Sequence, residues 1–409
     1  MTNNYKPIMG GVPISIERLA RGLEALGHEV TIFAPTYKEQ QDMEKEHSME
    51  KEHSMEKEHS TENVFRYATC MKHFIGGIVL PNPFDIRIEK EFRRKAFDII
   101  HVHHPMLIGR TAVHLSRKFH IPLVFTYHTR YEQYASCYTK GICKLDRIMP
   151  FYLRGFLKHC NFVFAPTLGM QRYLTDICHV PGERTGILPT GIEQRNFRVG
   201  REEAGELRRR YGAEHMPLLL TVSRMAGEKN VSFLLESLAR VKSLYGKPFR
   251  MLMVGDGPDR KALEERSRQL GLQENLVFTG TIPNERITVY FKAADAFLFA
   301  SKTETQGIVV LEAFAGATPV IAVKASGVED LVDDGVNGIL TGEDSQEYAA
   351  KVTEFLEEAC HSRMSENALQ KAALYREEAV ALKAVHYYNS VIADNATQKK
   401  RNIRLLLEG

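Results

Sequence analysis

The feature that most constrains this chain is an alternation of strand and helix patterns that runs once and then starts again. In the second half, PLLLTVSR (217–224), FRMLMVGDG (249–257) and NLVFTGTI (275–282) are short apolar runs. VSFLLESLARVKSLYG (231–246), RKALEERSRQLGL (260–272) and ITVYFKAAD (287–295) are the helical patterns between and after them. AFLFAS (296–301), TPVIAV (318–323) and NGILTG (337–342) complete the set. Such alternation predicts a parallel sheet covered by helices on both faces. The first half uses the same grammar. Val12, Ile16, Leu19, Leu23 and Leu26 recur at helical spacing and Gly27 ends the run. HEVTIFAP (28–35), DIIHVH (98–103), PLVFTYH (122–128), FVFAP (162–166) and GILPTG (186–191) read as strands. The expected organisation is α/β throughout. One domain covers 1–197 and a second covers 212–370, with a polar, charged junction near 197–213. A helix rich in Ala, Leu and Glu follows at 371–391, expected to pack back towards the N-terminal domain, and then a loose tail at 392–409.

Residues 43–60 break the pattern with an identical hexamer, MEKEHS, three times over. A six-residue step turns about 600° on a helix, so the three histidines fan around the axis and make no metal site. The segment reads as a charged insertion. The six cysteines, at 70, 137, 143, 160, 178 and 360, show neither C-x-x-C nor zinc spacing and read as free thiols in a reducing compartment. No run of about 18 apolar residues suggests a spanning helix. The start, MTNNYKPIMGG, has no apolar core of signal-peptide type. The net charge of +3 hides an asymmetry, because residues 91–160 alone carry +8. There, EFRRKAF (91–97) and DRIMPFYLRGFLKHC (146–160) alternate cations with large apolar groups. That mixture suits either an anionic membrane surface or a basic face beside a phosphate-bearing substrate. No nucleic-acid-binding motif accompanies the charge.

Four stretches carry chemistry. In MGGVPIS (9–15), Gly10 and Gly11 precede a helix and expose backbone N–H groups at its positive end, which suits an anion or is simply a turn. VSRMAGEKN (222–230) places Arg224 and Lys229 after the second domain's first strand, where they are either surface cations or ligands for a diphosphate. VGDGPDRKALEE (254–265) adds a strand–Gly-x-Gly–helix turn at Gly255, without the third glycine of a dinucleotide fingerprint, which disfavours a hydride-transfer cofactor. TYHTRYEQY (126–134) ends a strand with His128. In SKTETQGIVVLEAF (301–314), Glu304 lies in a loop and Glu312 in the helix that Gly307 begins. Two carboxylates so spaced are helix-end acids, or they accept paired hydrogen bonds from two diols, one of a ribose and one of a hexose. The amides of Gln306, Gly307 and Ile308 open that helix.

Arg224 with Lys229, Glu304-x7-Glu312, the GGV loop and the strand HVHHP (101–105) together resemble the retaining family-four glycosyltransferases. YHTRYEQY and SKTETQG look most like the branch with diacylglycerol glucosyltransferases and lipid mannosyltransferases. The resemblance implies two Rossmann-like domains facing across a cleft, the GT-B fold. It implies that Arg224 and Lys229 bind the donor diphosphate, Glu312 the ribose and Glu304 the sugar, with the Gln306–Ile308 amides on that sugar. Gly10 and Gly11 would approach the diphosphate, His128 would line the reaction centre, Gly255 would take part in donor binding, and the base would lie against the backbone near Thr279 to Ile282. The implied reaction moves glucose or mannose from UDP-glucose or GDP-mannose to a lipid such as diacylglycerol, with retention. No metal and no cofactor beyond the donor is expected, and no Asp-x-Asp occurs. The protein is expected in the cytoplasm or peripherally on the inner face of the cell membrane. A soluble sugar or polyol phosphate acceptor is the alternative. Members of the family begin with an apolar strand before the position of Asn3–Tyr5, so the first N-terminal strand is expected to be missing here. An upstream start, or an inactive nucleotide-sugar-binding remnant, would account for that.

Overall fold

The structure, a computed structural model, describes residues 1–8, 10–37, 63–71, 80–82, 85–131, 145–358 and 361–408. The repeat expected as an insertion at 43–60 lies outside these residues, as do Cys137, Cys143 and Cys360. The chain divides into two compact units. One is made of 1–166, 171–188 and 380–409, the other of 167–170 and 189–379.

The first unit contains α1 (Gly11–Ala25), β1 (Ile32–Pro35), β2 (Val64–Tyr67), β3 (Thr69–Met71), β4 (Leu80–Pro81), α2 (Ile86–Arg94), β5 (Ile100–Val102), α3 (Ile108–Phe119), β6 (Leu123–Thr126), α4 (Leu145–Leu157) and β7 (Phe162–Ala165). β8 (Thr185–Ile187) follows, after a short helix, α5 (Leu168–Arg172), whose first residues belong to the other unit. The strands are shorter than their apolar runs: 28–35 yields only β1, and of 186–191 only the first two residues lie in β8. β5, β6, β7 and β8 form a parallel sheet in chain order, and β1 pairs in parallel with β2. The first two residues are hydrogen-bonded to both sheets. The Met1 amine donates to the His101 carbonyl at 2.7 Å, and the His103 amide donates to the Met1 carbonyl at 3.1 Å. The Thr2 amide donates to the Phe33 carbonyl at 3.0 Å. Beside these residues lies a cavity of about 670 Å³ lined by Ile16, Leu23, Phe33, Phe92, Ile100 and Val385, among others.

The second unit contains α6 (Arg201–Arg210), β9 (Leu218–Val222), α7 (Val231–Tyr245), β10 (Arg250–Val254), α8 (Arg260–Gln269), β11 (Leu276–Gly280), α9 (Asn284–Ala293) and β12 (Ala296–Phe299). It continues with α10 (Ile308–Ala315), β13 (Val320–Val323), β14 (Gly338–Thr341), α11 (Ser345–Glu357) and α12 (Ser362–Ala373). Its six strands are parallel, in the order β11-β10-β9-β12-β13-β14. β9, β12 and β13 are almost wholly buried, as both-face coverage requires. The chain divides at 188/189 rather than near 197. Ala204 and Leu207 of α6 enter this unit's core, and Ile192 pairs with Arg376.

Two expectations at the C-terminus are overturned. The helix expected from Lys371 is broken at Leu374–Arg376, where the Ile192 amide donates to the Tyr375 carbonyl at 2.7 Å and the Glu377 amide donates to the Ile192 carbonyl at 3.1 Å. Carbonyls and amides used in that bridge cannot continue a helical ladder. The tail expected to be loose is instead the end of α13, which runs Glu377–Glu408. Val380, Ala384, Tyr388 and Val391 recur on one side of α13 and bury against Leu23, Val124, Phe164 and Leu188 of the first unit. Each large apolar side chain so buried contributes about 1.5–3 kcal/mol before entropy is subtracted. Gly186 lets the helix approach, because a Cβ there would lie 2.7 Å from the Tyr387 ring. Among the described residues no helix is long and apolar enough to cross a membrane.

Candidate active site

In the second unit the strand order turns back between β9 and β12, which are neighbours. Ligands of open α/β sheets gather beyond the carboxyl ends of the strands at such a point. The loops leaving these two strands carry the two residues the structure brings closest. Lys229 Nζ donates to Glu304 Oε1 at 2.5 Å, with each side chain 20% exposed. Ser301 Oγ donates to the same oxygen at 2.9 Å. Lys229 is held by a single 3-10 turn, Gly227–Lys229, and Asn230 with φ 55° opens α7 directly after it. Arg224 lies exposed in the same loop.

The loop after β10 rests on the loop after β9. Gly255 has φ 127°, and a Cβ there would lie 2.0 Å from the Ser223 carbonyl oxygen, so no other residue fits. The Gly255 amide donates to the Gly280 carbonyl at 2.9 Å, and the Met225 amide donates to the Asp256 carbonyl at 2.9 Å. Thr279 is half-buried in β11 with its hydroxyl donating to the Gly280 carbonyl, and Ile282 packs on the core just beyond. Arg260 binds this turn from α8, donating to Asp256 at 2.9 Å and Glu264 at 2.8 Å. The Gly257 amide and then Arg260 hold the Asp256 carboxyl below its usual range.

Gly307 takes φ 72°, ψ 56° at the start of α10, and no side chain caps that helix. Its first amides therefore have no side-chain cap. Ile308 begins the helix and Glu312 lies half-buried within it. Gln306 does something the sequence did not reveal. Its side chain is buried, with Oε1 accepting from the Thr190 amide at 2.8 Å and Nε2 donating to the Thr190 carbonyl at 3.2 Å. That amide group completes a backbone pair, so any ligand contact of Gln306 falls to its main chain. Ser301, Thr190 and Gly327 were also missed. Gly327, with φ 82°, sits where a Cβ would be 2.7 Å from the Glu304 carbonyl oxygen. Only Ser301 had a local signal, three residues before the glutamate it supports.

Gly10, Gly11 and His128 belong to the first unit. Gly10 is extended and precedes α1 without a side-chain cap, and Gly11 is exposed at its first position. His128, two residues past β6, is half-buried. Burial lowers its pKa to about 4, so its imidazole is neutral at neutral pH. His103 Nδ1 and His128 Nε2 are 2.9 Å apart. The His-x-His spacing at 101 and 103 was the available signal, since alternate residues of a strand share a face.

Chemically, the second unit offers cations and free helix-end geometry for an anion, and a carboxylate for hydroxyl groups, on one sheet edge. Among the described residues, no group of His, Cys, Asp and Glu is placed to hold a metal ion.

Residues 9–195 match the family described as Glycosyltransferase Family 4, and residues 204–371 match Glycosyl transferases group 1. The chain is 32% identical over 343 residues to the alpha-monoglucosyldiacylglycerol synthase of Streptococcus pneumoniae, covering 83% of this chain and 74% of that one. It is 26% identical over 406 residues to the D-inositol 3-phosphate glycosyltransferase of Frankia alni, covering 95% and 96%. The structure of Anabaena HepE in complex with UDP superposes with a TM-score of 0.73 at 19% identity, covering 95% of this chain and 98% of that one. That likeness extends the two-unit α/β agreement to the GT-B fold. On the sequence match to the pneumococcal synthase, with both family regions in place, this chain belongs to glycosyltransferase family 4.

Proposed function

We propose that this chain transfers a hexose, with retention, from a nucleoside diphosphate sugar to a membrane lipid such as diacylglycerol. The observation that carries the reading is the Lys229–Glu304 pair at 2.5 Å where the strand order turns back. A cation suited to a leaving phosphate and a carboxylate suited to sugar hydroxyls share one loop junction. In this reading Arg224 and Lys229 hold the diphosphate, Glu304 the sugar and Glu312 the ribose. The main-chain amides of Gln306, Gly307 and Ile308 reach the sugar, and Gly255 with Thr279 to Ile282 borders the base. Gly10 and Gly11 supply N–H groups to the diphosphate, and His128 meets the transferred sugar. Cations and loop amides, in place of a metal, stabilise the leaving group, and no further cofactor takes part.

The lipid acceptor is supported by the relative named for diacylglycerol and by the +8 charge of residues 91–160. Phe151, 74% exposed, shares α4 with Arg154, which suits peripheral attachment to an anionic cytoplasmic surface. The relative named for inositol phosphate favours a second reading, the same donor with a soluble polyol phosphate acceptor. A panel of UDP-glucose and GDP-mannose against diacylglycerol, inositol phosphate and simple sugars, read by mass spectrometry, decides between them. A glycolipid with an α linkage supports the proposal. A glycosylated polyol phosphate favours the second reading, and donor binding without any product indicates a binding remnant. Glu304→Ala and Arg224→Ala should each lower turnover more than about tenfold, and near-wild-type rates in both would overturn the site.

A further inference from the structure

We infer that Glu343 is a positioning residue that brackets the two loops carrying Lys229 and Glu304. Its importance to the reaction rests on the reading of those two residues as ligands of the donor. Glu343 follows β14, the strand at one edge of the second unit's sheet. From there its carboxylate reaches the loops that leave the two central strands. Oε1 accepts from Asn230 Nδ2 at 2.9 Å, and Oε2 accepts from Lys302 Nζ at 2.6 Å. Asn230 directly follows Lys229, and Lys302 lies just ahead of Glu304. One oxygen therefore holds the loop after β9 and the other holds the loop after β12.

Both contacts fall where they steer the site residues. Asn230 takes φ 55°, ψ 35°, and its amide closes the turn Gly227–Lys229 by donating to the Gly227 carbonyl at 3.1 Å. Asparagine tolerates that left-handed backbone, and holding its side chain holds the corner at which Lys229 leaves the turn. Lys302 adjoins Ser301, whose hydroxyl donates to Glu304 Oε1 at 2.9 Å. The backbone around Glu343 is itself anchored. The Lys324 amide donates to the Thr341 carbonyl at 2.9 Å, and Asp344 caps α11 by accepting from the Gln346 and Glu347 amides at 2.9 and 2.8 Å. The Lys302 ammonium, and to a smaller extent the Asn230 amide, hold the Glu343 carboxyl below its usual range, so it is ionised at neutral pH and both oxygens accept. Lys302 and Glu343 are 49% and 42% exposed, and a pair so exposed adds little to folding stability. Its effect falls on the relative position of two loops, and a small displacement is costly to a site that grips a diphosphate and a sugar together.

The test is a double-mutant cycle on Lys229→Met and Glu304→Gln, run without ligand in the full chain and again in Glu343→Ala. The Lys229–Glu304 coupling, as an equilibrium constant, should weaken roughly threefold in Glu343→Ala. Asn230→Gly keeps the left-handed turn and loses the side-chain amide, so it should weaken the coupling in the same direction. Glu343→Gln keeps an oxygen for one of the two partners and should lie between Glu343→Ala and wild type. Titration calorimetry with UDP and GDP gives a second readout. Whichever nucleotide the wild type binds should bind about fivefold more weakly to Glu343→Ala, with the melting temperature within about 4 °C of wild type. A coupling that Glu343→Ala leaves unchanged overturns the inference whatever the nucleotide affinity, and so does strict additivity in the wild-type cycle. A melting temperature lowered beyond that range assigns Glu343 to the fold and overturns it too. Failure of the wild type to bind either nucleotide instead defeats the donor-site reading, while the unliganded coupling still decides whether Glu343 brackets the loops.

Discussion

The pairing of Lys229 with Glu304 can be measured directly by a double-mutant cycle with Lys229→Met and Glu304→Gln. The charges are 2.5 Å apart and each side chain is 20% exposed. An exposed ion pair contributes up to about 1 kcal/mol, and breaking a buried one costs about 3–5 kcal/mol. This pair lies between those limits. Ser301 also donates to the same carboxylate oxygen and partly supports Glu304 when the lysine is lost. A coupling energy of about 1–2 kcal/mol is therefore expected in the unliganded protein. In a unit of roughly two hundred residues, each kcal/mol shifts the melting temperature by about 2–4 °C. Differential scanning calorimetry on the four proteins reads the coupling. Repeating the cycle with saturating UDP should lower it, because the diphosphate then competes for Lys229. Additivity within about 0.3 kcal/mol would refute an energetic pair. A coupling that UDP leaves unchanged would refute Lys229 as a diphosphate ligand.

Other outcomes follow from single features. Gln306→Leu removes both hydrogen bonds to the Thr190 backbone, at about 0.5–1.5 kcal/mol each, so it should unfold at lower temperature, while Gln306→Glu, which keeps an acceptor for the Thr190 amide, loses less. Gly255→Ala should weaken UDP binding in titration calorimetry, because its Cβ would strike the Ser223 carbonyl and displace both loops. Gly182→Ala, with nothing within 4 Å, should leave UDP binding and stability unchanged. His103, which is buried, and the half-buried His101, His104 and His128 have pKa values depressed by desolvation, with His104 at about 3 and His128 at about 4. The unfolded chain binds protons to these residues from about pH 6.5 downward and the folded chain does not, so stability falls as the pH drops from about 6.5 towards 4. Urea midpoints that stay level across that window would contradict this burial.

The local pattern was enough to specify two α/β units, because apolar runs between helical stretches have few other ways to bury themselves. It marked Arg224, Lys229, Glu304 and Glu312 as candidates, and the family resemblance gave them their expected roles on a diphosphate and diols. The strand ends at 32 and 187, the division at 188/189 and the break at Leu374–Arg376 depend on pairings between distant residues, which no local window contains. The continuous helix Glu377–Glu408 was missed for the same reason: its stripe of Val380, Ala384, Tyr388 and Val391 gains its meaning from Leu23, Val124 and Phe164. The site divides in the same way. The sequence by itself determined which chemical groups are present. Tertiary structure decided that Lys229 pairs with Glu304 across 75 positions, that Gln306 binds Thr190 across 116, and that His103 faces His128. Hydrogen bonds and burial act through space, and the parallel strand order that brings these loops together is set by packing of the whole sheet.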